Sequence, residues 1–320
     1  MAPGLMDSPQ RTPVSGTGFA IGHAGRHHGE ILQGLWWPQS EACPNPVPCL
    51  LTQPVPGAGS EARFRLAPGR QIEVHPAYKL KAARAARLAL DALDATAFGG
   101  VLRLRCPIPT GLGLGSSTSD VLATLRAVCL ACGTQADAAL LARLAVRAEV
   151  ASDPLMFDGT VLFAHREGRV LEHWGQWIPE FLLLSVNTDP RTAGRDTLSL
   201  PRPRGEAMRN DYTALVQQAR AAFQAHDAAA IAAAATRSAE LNQITVATRE
   251  FHALRALSVT SGALGLQISH SGTVAGLLFA PQTEPHTFKP LLRRLRTLGM
   301  APLGTYRTGH DNFPAPPDRA

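Results

Sequence analysis

The distribution of apolar residues along the chain predicts a mixture of helices and short strands. Apolar side chains recur at helical spacing in five segments: Lys79–Leu93, Val121–Cys132, Asp137–Val150, Glu250–Val259 and Phe288–Leu298. Short apolar or alternating runs predict seven strands: Arg63–Leu66, Gln71–Val74, Val101–Cys106, Val161–Ala164, Val170–His173, Phe181–Val186 and Val274–Phe279. An Ala-rich segment from Arg209 through Thr236 to Gln243 is also expected to be helical. The pattern alone indicates mixed α and β structure.

Glycine and proline mark the remaining segments. Residues 18–35 are rich in Gly and His and are expected to form a loop, and residues 44–59 are expected to form loops around short strands. Residues 1–17 and the tail 309–320 have compositions typical of flexible ends. The composition changes near residues 165–180, and 320 residues exceed what one hydrophobic core usually serves, so two domains are expected.

Composition and charge narrow the class of protein. Hydrophobic residues make up 45% of the chain, yet no apolar run is long enough to span a bilayer, so no membrane partner is expected. The chain does not start like a secretory signal, so we expect a cytoplasmic protein, and its five cysteines (Cys43, Cys49, Cys106, Cys129 and Cys132) are expected to be reduced thiols. The net charge of +6 comes from scattered arginines with few aromatic residues. This pattern argues against nucleic acid and favours small anionic ligands such as nucleotides. A homodimer is a further hypothesis.

The stretch that follows the strand Val101–Cys106 carries the clearest chemistry. It contains three alternating glycines and then four hydroxyl side chains at the start of a helix, and its proposed binding residues are Pro109, Gly111, Gly113, Leu114, Gly115, Ser116, Ser117, Thr118 and Ser119. Glycines let the backbone approach a ligand closely, and a helix N-terminus offers unpaired N–H groups with positive dipole character. The stretch therefore predicts a phosphate-binding loop. A plain Gly-rich turn with a serine N-cap is the alternative.

Other glycine motifs do not fit this stretch. A P-loop needs a lysine after its second glycine, and none follows Gly115. The spacing G-x-G-x-G differs from the G-x-G-x-x-G of dinucleotide-binding folds, and the G-x-S-x-G of a nucleophile elbow is absent.

Residues 109–118 resemble P-x-G-x-G-L-G-S-S-[AT], the phosphate-binding signature of the GHMP kinases. Gly29-Glu30 is similar to the end of the family's N-terminal motif, and residues 262–273 resemble its C-terminal Gly-rich loop, with His270 where glycine is usual. The likeness covers about residues 18–280. It implies an α+β fold of two domains: a mixed-sheet, ATP-binding N-terminal domain at 18–172 and a ferredoxin-like C-terminal domain at 173–308.

The resemblance also implies an activity. GHMP kinases transfer the γ-phosphate of ATP, with Mg²⁺, to a hydroxyl of a small metabolite. Residues 29–34, the Ser-Ser-Thr of the loop and residues 269–274 resemble the L-threonine kinases of the cobalamin side-chain pathway. A hydroxy amino acid such as L-threonine is therefore the expected acceptor. The alternatives are homoserine, a sugar or a mevalonate-like acid, or a catalytically silent regulator on the same fold.

Three residues are implied as catalytic by the resemblance. Ser117 and Glu149 would hold Mg²⁺, although without the resemblance Glu149 is interpreted as a solvated carboxylate at a helix end. Asp153 would accept or orient the proton of the acceptor hydroxyl, with Asp158 as the second choice.

The acceptor site is predicted from scattered residues. Glu30 and His28 would meet the charged ends of an amino acid, Arg191 would bind its carboxylate, and Ser271, Gly272 and Thr273 would line the same site. A metal site at His23, His27, His28 and Glu30 is a weaker alternative, because the nearby glycines argue against a helix. Asn242 and Gln243 are interpreted either as a helix end or as a substrate contact.

Overall fold

The computed structural model of the chain describes residues 18–38, 45–57, 59–192 and 206–309. Within these ranges the strands are β1 Ala20–His23, β2 Arg26–Trp36, β3 Val47–Val55, β4 Glu61–Pro68, β5 Ile72–His75, β6 Phe98–Arg105, β7 Val161–Ala164, β8 Arg169–His173, β9 Leu182–Asn187, β10 Gly265–Ile268, β11 Val274–Phe279 and β12 Ala301–Arg307. The helices are α1 Leu80–Ala92, α2 Ser116–Ala131, α3 Ala138–Glu149, α4 Arg209–Gln224, α5 Ala228–Asn242, α6 Phe251–Thr260 and α7 Lys289–Thr297.

The helices predicted from apolar spacing are confirmed, with one correction. The Ala-rich segment forms two helices, α4 and α5, rather than one continuous helix. The break lies at His226, which has a left-handed φ of 52°. Asp227 then begins α5, because its side chain accepts a hydrogen bond from the Ala230 amide at 2.9 Å.

The segments expected to be loops contain the main errors of the strand prediction. Residues 26–36 form the 11-residue strand β2, and residues 47–55 form the nine-residue strand β3, despite Pro48 and Pro54. The short strands β1, β10 and β12 were not predicted either. Both β2 and β3 are almost entirely buried, and a strand that is buried on both faces lacks the alternation that identifies a strand in sequence.

The strands form two sheets. The smaller sheet has the order β1-β4-β6-β5, with β5 parallel to β6 and the other pairs antiparallel, so it is mixed as predicted. Helices α1, α2 and α3 pack together beside it and share an apolar core with its strands. The larger sheet has the order β12-β9-β11-β10-β2-β3-β7-β8. Helices α4 and α5 pack on β2, and α5 also covers β10. The predicted boundary after residue 172 falls within β8.

The connection from β6 to α2 brings the two sheets to one place. The predicted phosphate-binding loop leaves the smaller sheet, and its far side contacts the turn between β10 and β11 of the larger sheet. Cys49, Cys106, Cys129 and Cys132 are free thiols, and Cys43 lies outside the described residues. None of the helices in the described ranges has both the length and the apolar character needed to cross a bilayer.

Candidate active site

The predicted phosphate-binding loop has a backbone that only glycines adopt readily. Gly111, Gly113 and Gly115 have φ values of 78°, 70° and 76°. Gly115 is the N-cap of α2 and supplies no side-chain hydrogen bond to the first turn. The residues of that turn, Ser116 to Thr118, line a cavity together with the three glycines. Their amides and the helix dipole make this end of the cavity suitable for phosphate.

The loop is held from beneath by the turn between β10 and β11. A Cβ at Gly113 would lie 2.6 Å from Ser271 Oγ, so only glycine fits here. The Thr273 hydroxyl donates to the Leu112 carbonyl at 3.2 Å. Leu114 is buried against Ile108 and Val274. Among the predicted substrate residues of this turn, Ser271 lines the cavity, whereas Thr273 supports the loop.

A buried polar network fixes the first turn of α2. Ser60 donates through its hydroxyl to Asp120 at 2.7 Å, and its amide donates to Ser119 Oγ at 2.8 Å. Lys79 forms an ion pair with the second oxygen of Asp120. Ser119, a predicted binding residue, is fully buried in this network and does not line the cavity. Pro109 is exposed at the start of the loop and does not line it either.

Ser117, in the first turn of α2, contacts Glu149, the last residue of α3. The Ser117 hydroxyl donates to Glu149 Oε2 at 2.7 Å, and the Thr118 hydroxyl lies 2.9 Å from Oε1. Glu149 is only 3% exposed, which corrects the interpretation of a solvated helix-end carboxylate. Burial raises the pKa of Glu149 to about 7. The hydrogen bond from Ser117 acts in the opposite direction, because it favours the ionised form. Oxygen ligands of this kind suit Mg²⁺, whose charge would offset the burial of the carboxylate.

Asp153 forms an ion pair with a histidine from β2. His27 Nε2 lies 3.0 Å from Asp153 Oδ2, and the Thr118 hydroxyl lies 3.0 Å from the same oxygen. Burial disfavours a charged ring, but the charge and hydrogen bond of Asp153 outweigh it and raise the pKa of His27 to about 9. The same pairing outweighs burial at the carboxylate and lowers the pKa of Asp153 to about 2. At neutral pH both partners are therefore charged.

A β-bulge decides which residues of β2 face the cavity. Between His27 and Glu30 the pairing with β3 shifts register, and Gly29 has a φ of 58°. His27 and Glu30 both line the cavity, and Glu30 accepts a hydrogen bond from the Thr52 hydroxyl at 2.8 Å. Burial raises the pKa of Glu30 to about 8, although the His27 charge opposes this.

His28 lies on the opposite side of β2. Its Nε2 is 2.7 Å from Ser185 Oγ, and Gln267 contacts its Nδ1 at 3.0 Å. Burial and the neighbouring His27 charge lower the pKa of His28 to about 3, so the ring is neutral. The structure thus brings His27, not His28, to the cavity that Glu30 lines. Alternating side chains along β2 would have separated these two histidines had the strand been recognised.

The histidine-rich segment does not converge as a metal site of four ligands. His23 is exposed on β1, and His28 faces away from the cavity. His27, Glu30 and Asp153 do offer ligand atoms within 4.8 Å of one another. In this triad the charged His27 ring already supplies the positive charge that balances Asp153.

The cavity between the two sheets has a volume of about 250 Å³. Its walls are His27, Glu30, Leu50, Lys81, Gly111, Gly113, Gly115, Ser116, Ser117, Thr118, Glu149, Ala151, Ser152, Asp153, His165, His270 and Ser271. The predicted residues Arg191, Gly272 and Asp158 are not among them. Arg191 is 72% exposed and lies 3.9 Å from Asp189. Sequence reasoning missed Lys81 and His165, because no local motif marks them.

Comparison with known proteins agrees with this geometry. Residues 79–157 match the family model of the GHMP kinases N terminal domain. The chain is 28% identical over 172 residues to the L-threonine kinase of Citrobacter freundii, a match that spans 53% of this chain and 59% of that protein. It is therefore similar to less than two thirds of that relative.

Solved structures show the same fold at low sequence identity. The structure of L. major mevalonate kinase in complex with R-mevalonate has a TM-score of 0.61 and 20% identity, covering 94% of this chain and 98% of that one. The structure of homoserine kinase from Cytophaga hutchinsonii has a TM-score of 0.65 and 15% identity, covering 95% of this chain and 96% of that one. Residues 79–157 are thus similar to the GHMP kinase N-terminal domain, and the chain has the two-domain α+β fold of these solved kinases. The α+β fold and the family resemblance inferred from the sequence are confirmed.

Proposed function

We propose that this protein is an ATP-dependent kinase that phosphorylates a hydroxyl group of a small metabolite, most favourably L-threonine or a related hydroxy amino acid. The observation that carries the proposal is one cavity in which a glycine loop, the Ser117–Glu149 pair and an ionised Asp153 meet. Phosphoryl transfer needs these three parts: a phosphate cradle, oxygen ligands for a metal, and a group that orients the nucleophile.

The nucleotide would place its phosphates on residues 111–118, against the free amides of the α2 N-terminus. Ser117 and Glu149 would hold Mg²⁺, which supplies charge neutralisation to the phosphates. Lys81 also lines this end of the cavity, and its positive charge acts on Glu149. The proposed roles of Ser117 and Glu149 are those that the sequence predicted.

Asp153 would hold the acceptor hydroxyl in line with the γ-phosphorus. The new O–P bond forms as the bond to ADP breaks, and the hydroxyl proton passes to the carboxylate or to water. A carboxylate with a pKa of about 2 is a weak base, so Asp153 is better suited to orienting the hydroxyl than to removing its proton early. A loose transition state does not require early deprotonation.

Beyond Asp153, Glu30 offers a carboxyl group to a positive group of the acceptor. Glu30 is buried in the cavity wall, and its Oε1 lies 3.9 Å from His27 Nδ1. An ammonium group at Glu30 would favour the ionised form of this carboxylate. Such pairing, together with the 28% identity to an L-threonine kinase, supports a hydroxy amino acid.

The test is ADP release with L-threonine, L-serine, L-homoserine and galactose measured in parallel. We expect the highest kcat/KM with L-threonine. Activity with galactose alone would overturn the amino-acid proposal and keep the kinase. ATP binding without turnover of any hydroxylated metabolite would favour the silent regulator. The cytoplasmic location, the homodimer and the domain boundary after residue 172 stay predictions.

A further inference from the structure

A small annex adjoins the main cavity and shares two of its walls. His165 and His270 line both spaces, and their rings meet edge to face at 5.3 Å. The annex has a volume of about 20 Å³, and one bound water needs roughly 10–15 Å³ on the same kind of measure. It has room for one or two ligand atoms but not for a whole metabolite. It meets the main cavity at the two shared histidines.

The annex contains a buried donor without an acceptor. Asn242, the last residue of α5, lines the annex and is only 5% exposed. Its Nδ2 finds no hydrogen-bond partner within the part of the chain that the structure describes. Leaving a buried amide donor unsatisfied is costly, so the group points to an acceptor atom supplied from outside the fold.

The annex also has polar and positively charged residues in its walls. Arg166 lines it, and its charge lowers the pKa of His270 alongside the larger effect of burial. Gln33 fixes the His270 ring: Gln33 Nε2 donates to the Ile268 carbonyl at 3.1 Å, so its Oε1 accepts from His270 Nδ1 at 3.1 Å. The described residues that line the annex include Arg166 but no carboxylate.

We infer that the annex binds the carboxylate of the acceptor, with Asn242 Nδ2 as the hydrogen-bond donor and Arg166 as the source of positive charge. This inference deepens the proposed function and rests on it. Donors and positive charge in the annex, with Glu30 in the main cavity, match the two charged ends of a zwitterion. The role predicted for Arg191 passes to these residues, because Arg191 does not line either space.

The test compares two acceptors that differ only in the carboxylate: L-threonine and (R)-1-aminopropan-2-ol. Their binding by calorimetry and their kcat/KM are measured on the full chain carrying Asn242→Ala, Asn242→Asp or Arg166→Met. Asn242→Asp keeps the side-chain shape but replaces the donor with a negative charge. Arg169→Met is the matched control, because Arg169 is exposed and paired with Glu167.

We expect Asn242→Ala and Arg166→Met to weaken L-threonine binding about tenfold or more, as for loss of a hydrogen bond to a charged group. Asn242→Asp should weaken L-threonine binding further. The binding of (R)-1-aminopropan-2-ol should change little in these variants, and Arg169→Met should change the binding of neither acceptor. If the wild type uses L-threonine, equal losses of binding for both acceptors, or no loss for either, would overturn the carboxylate role of the annex and leave the proposed function standing. A wild type that binds only acceptors without a carboxylate would overturn both the annex and the amino-acid proposal.

Discussion

His27 Nε2 donates a hydrogen bond to Asp153 Oδ2 across 3.0 Å, joining β2 of the larger sheet to the segment that follows α3. The pair is separated by 126 positions in sequence. His27 is 3% exposed, so the charged ring depends on Asp153 and Glu30 for its compensation. In return the charge of the ring lowers the pKa of Asp153 to about 2, so this carboxylate is ionised at neutral pH. The proposed acceptor site is thus built around a fixed negative charge.

The first prediction concerns that negative charge. Asp153→Asn keeps the size of the side chain but removes its charge, so the hydroxyl loses its orienting partner. We expect kcat to fall about 10²-fold, with part of the loss in KM for the acceptor and little change in ATP affinity. Steady-state kinetics with L-threonine would measure this. Asp158→Asn, a change at an exposed carboxylate in the same segment, is the matched control and should retain wild-type rates.

The second prediction concerns stability against pH. The pKa of His27 rises from an ordinary value of 6.5 to about 9 on folding, so its pairing stabilises the fold fully below about pH 6.5. That contribution is lost as the pH rises through about 9. His27→Gln should therefore lower the free energy of unfolding by about 1.5–3 kcal/mol near pH 6.

The gap between wild type and His27→Gln should close towards pH 9, which denaturant titrations at several pH values would show. Comparing the two proteins at each pH cancels the contributions of the other titrating groups to the free energy of unfolding. His23→Gln, a change at an exposed histidine of β1, should stay close to wild type. A gap that widens with pH would mean that His27 is neutral in the fold.

The third prediction separates metal binding from nucleotide binding. Glu149→Gln removes the carboxylate from the Ser117 pair, so turnover should fall and the Mg²⁺ concentration for half-maximal rate should rise at least about tenfold. In the wild type, protonation of Glu149 below about pH 7 should compete with Mg²⁺ and raise the same requirement. Titrations of Mg²⁺ at pH 6 and pH 8 test both effects. If Glu149→Gln keeps this pH dependence, Glu149 is not the titrating ligand.

The sequence was most informative where the chemistry lies in consecutive residues. The loop from Pro109 to Ser119 could be recognised because its glycines and hydroxyls are adjacent in the chain. Its relation to Glu149 came from the resemblance, because the residues alone favoured a solvated carboxylate at the end of a helix. The fold followed from the resemblance that these motifs carry, and the comparisons confirm it.

The sequence was least informative where a site depends on long-range contacts. His27 and His28 are neighbours in sequence, and the alternation of side chains along β2 sends them to opposite sides. The bulge at Gly29 then returns Glu30 to the side of His27. His165 and Asn242 both line the annex, because His165 follows β7 of the larger sheet and α5 packs on β2 and β10 of that sheet. Nothing near either residue in sequence marks this meeting. The prediction for Arg191 rested on residue type alone, which does not decide the direction of a side chain.

The last prediction tests the phosphate loop at its closest approach to the acceptor site. A Cβ at Gly115 would lie 2.2 Å from His27 Cδ2, and Gly115 has a φ of 76°. Gly115→Val should therefore push the loop and the His27 ring apart, and we expect nucleotide binding to be lost. Gly133→Val is the matched control, since Gly133 has a similar φ of 71° but a Cβ there would meet nothing within 4 Å. Both variants carry the same backbone strain of about 1–2 kcal/mol, so the control should lose stability and keep ATP affinity. Calorimetric titration with ATP, after circular dichroism has shown that both variants are folded, makes the comparison. Undiminished ATP binding by Gly115→Val would mean that the nucleotide phosphates do not lie on residues 111–118.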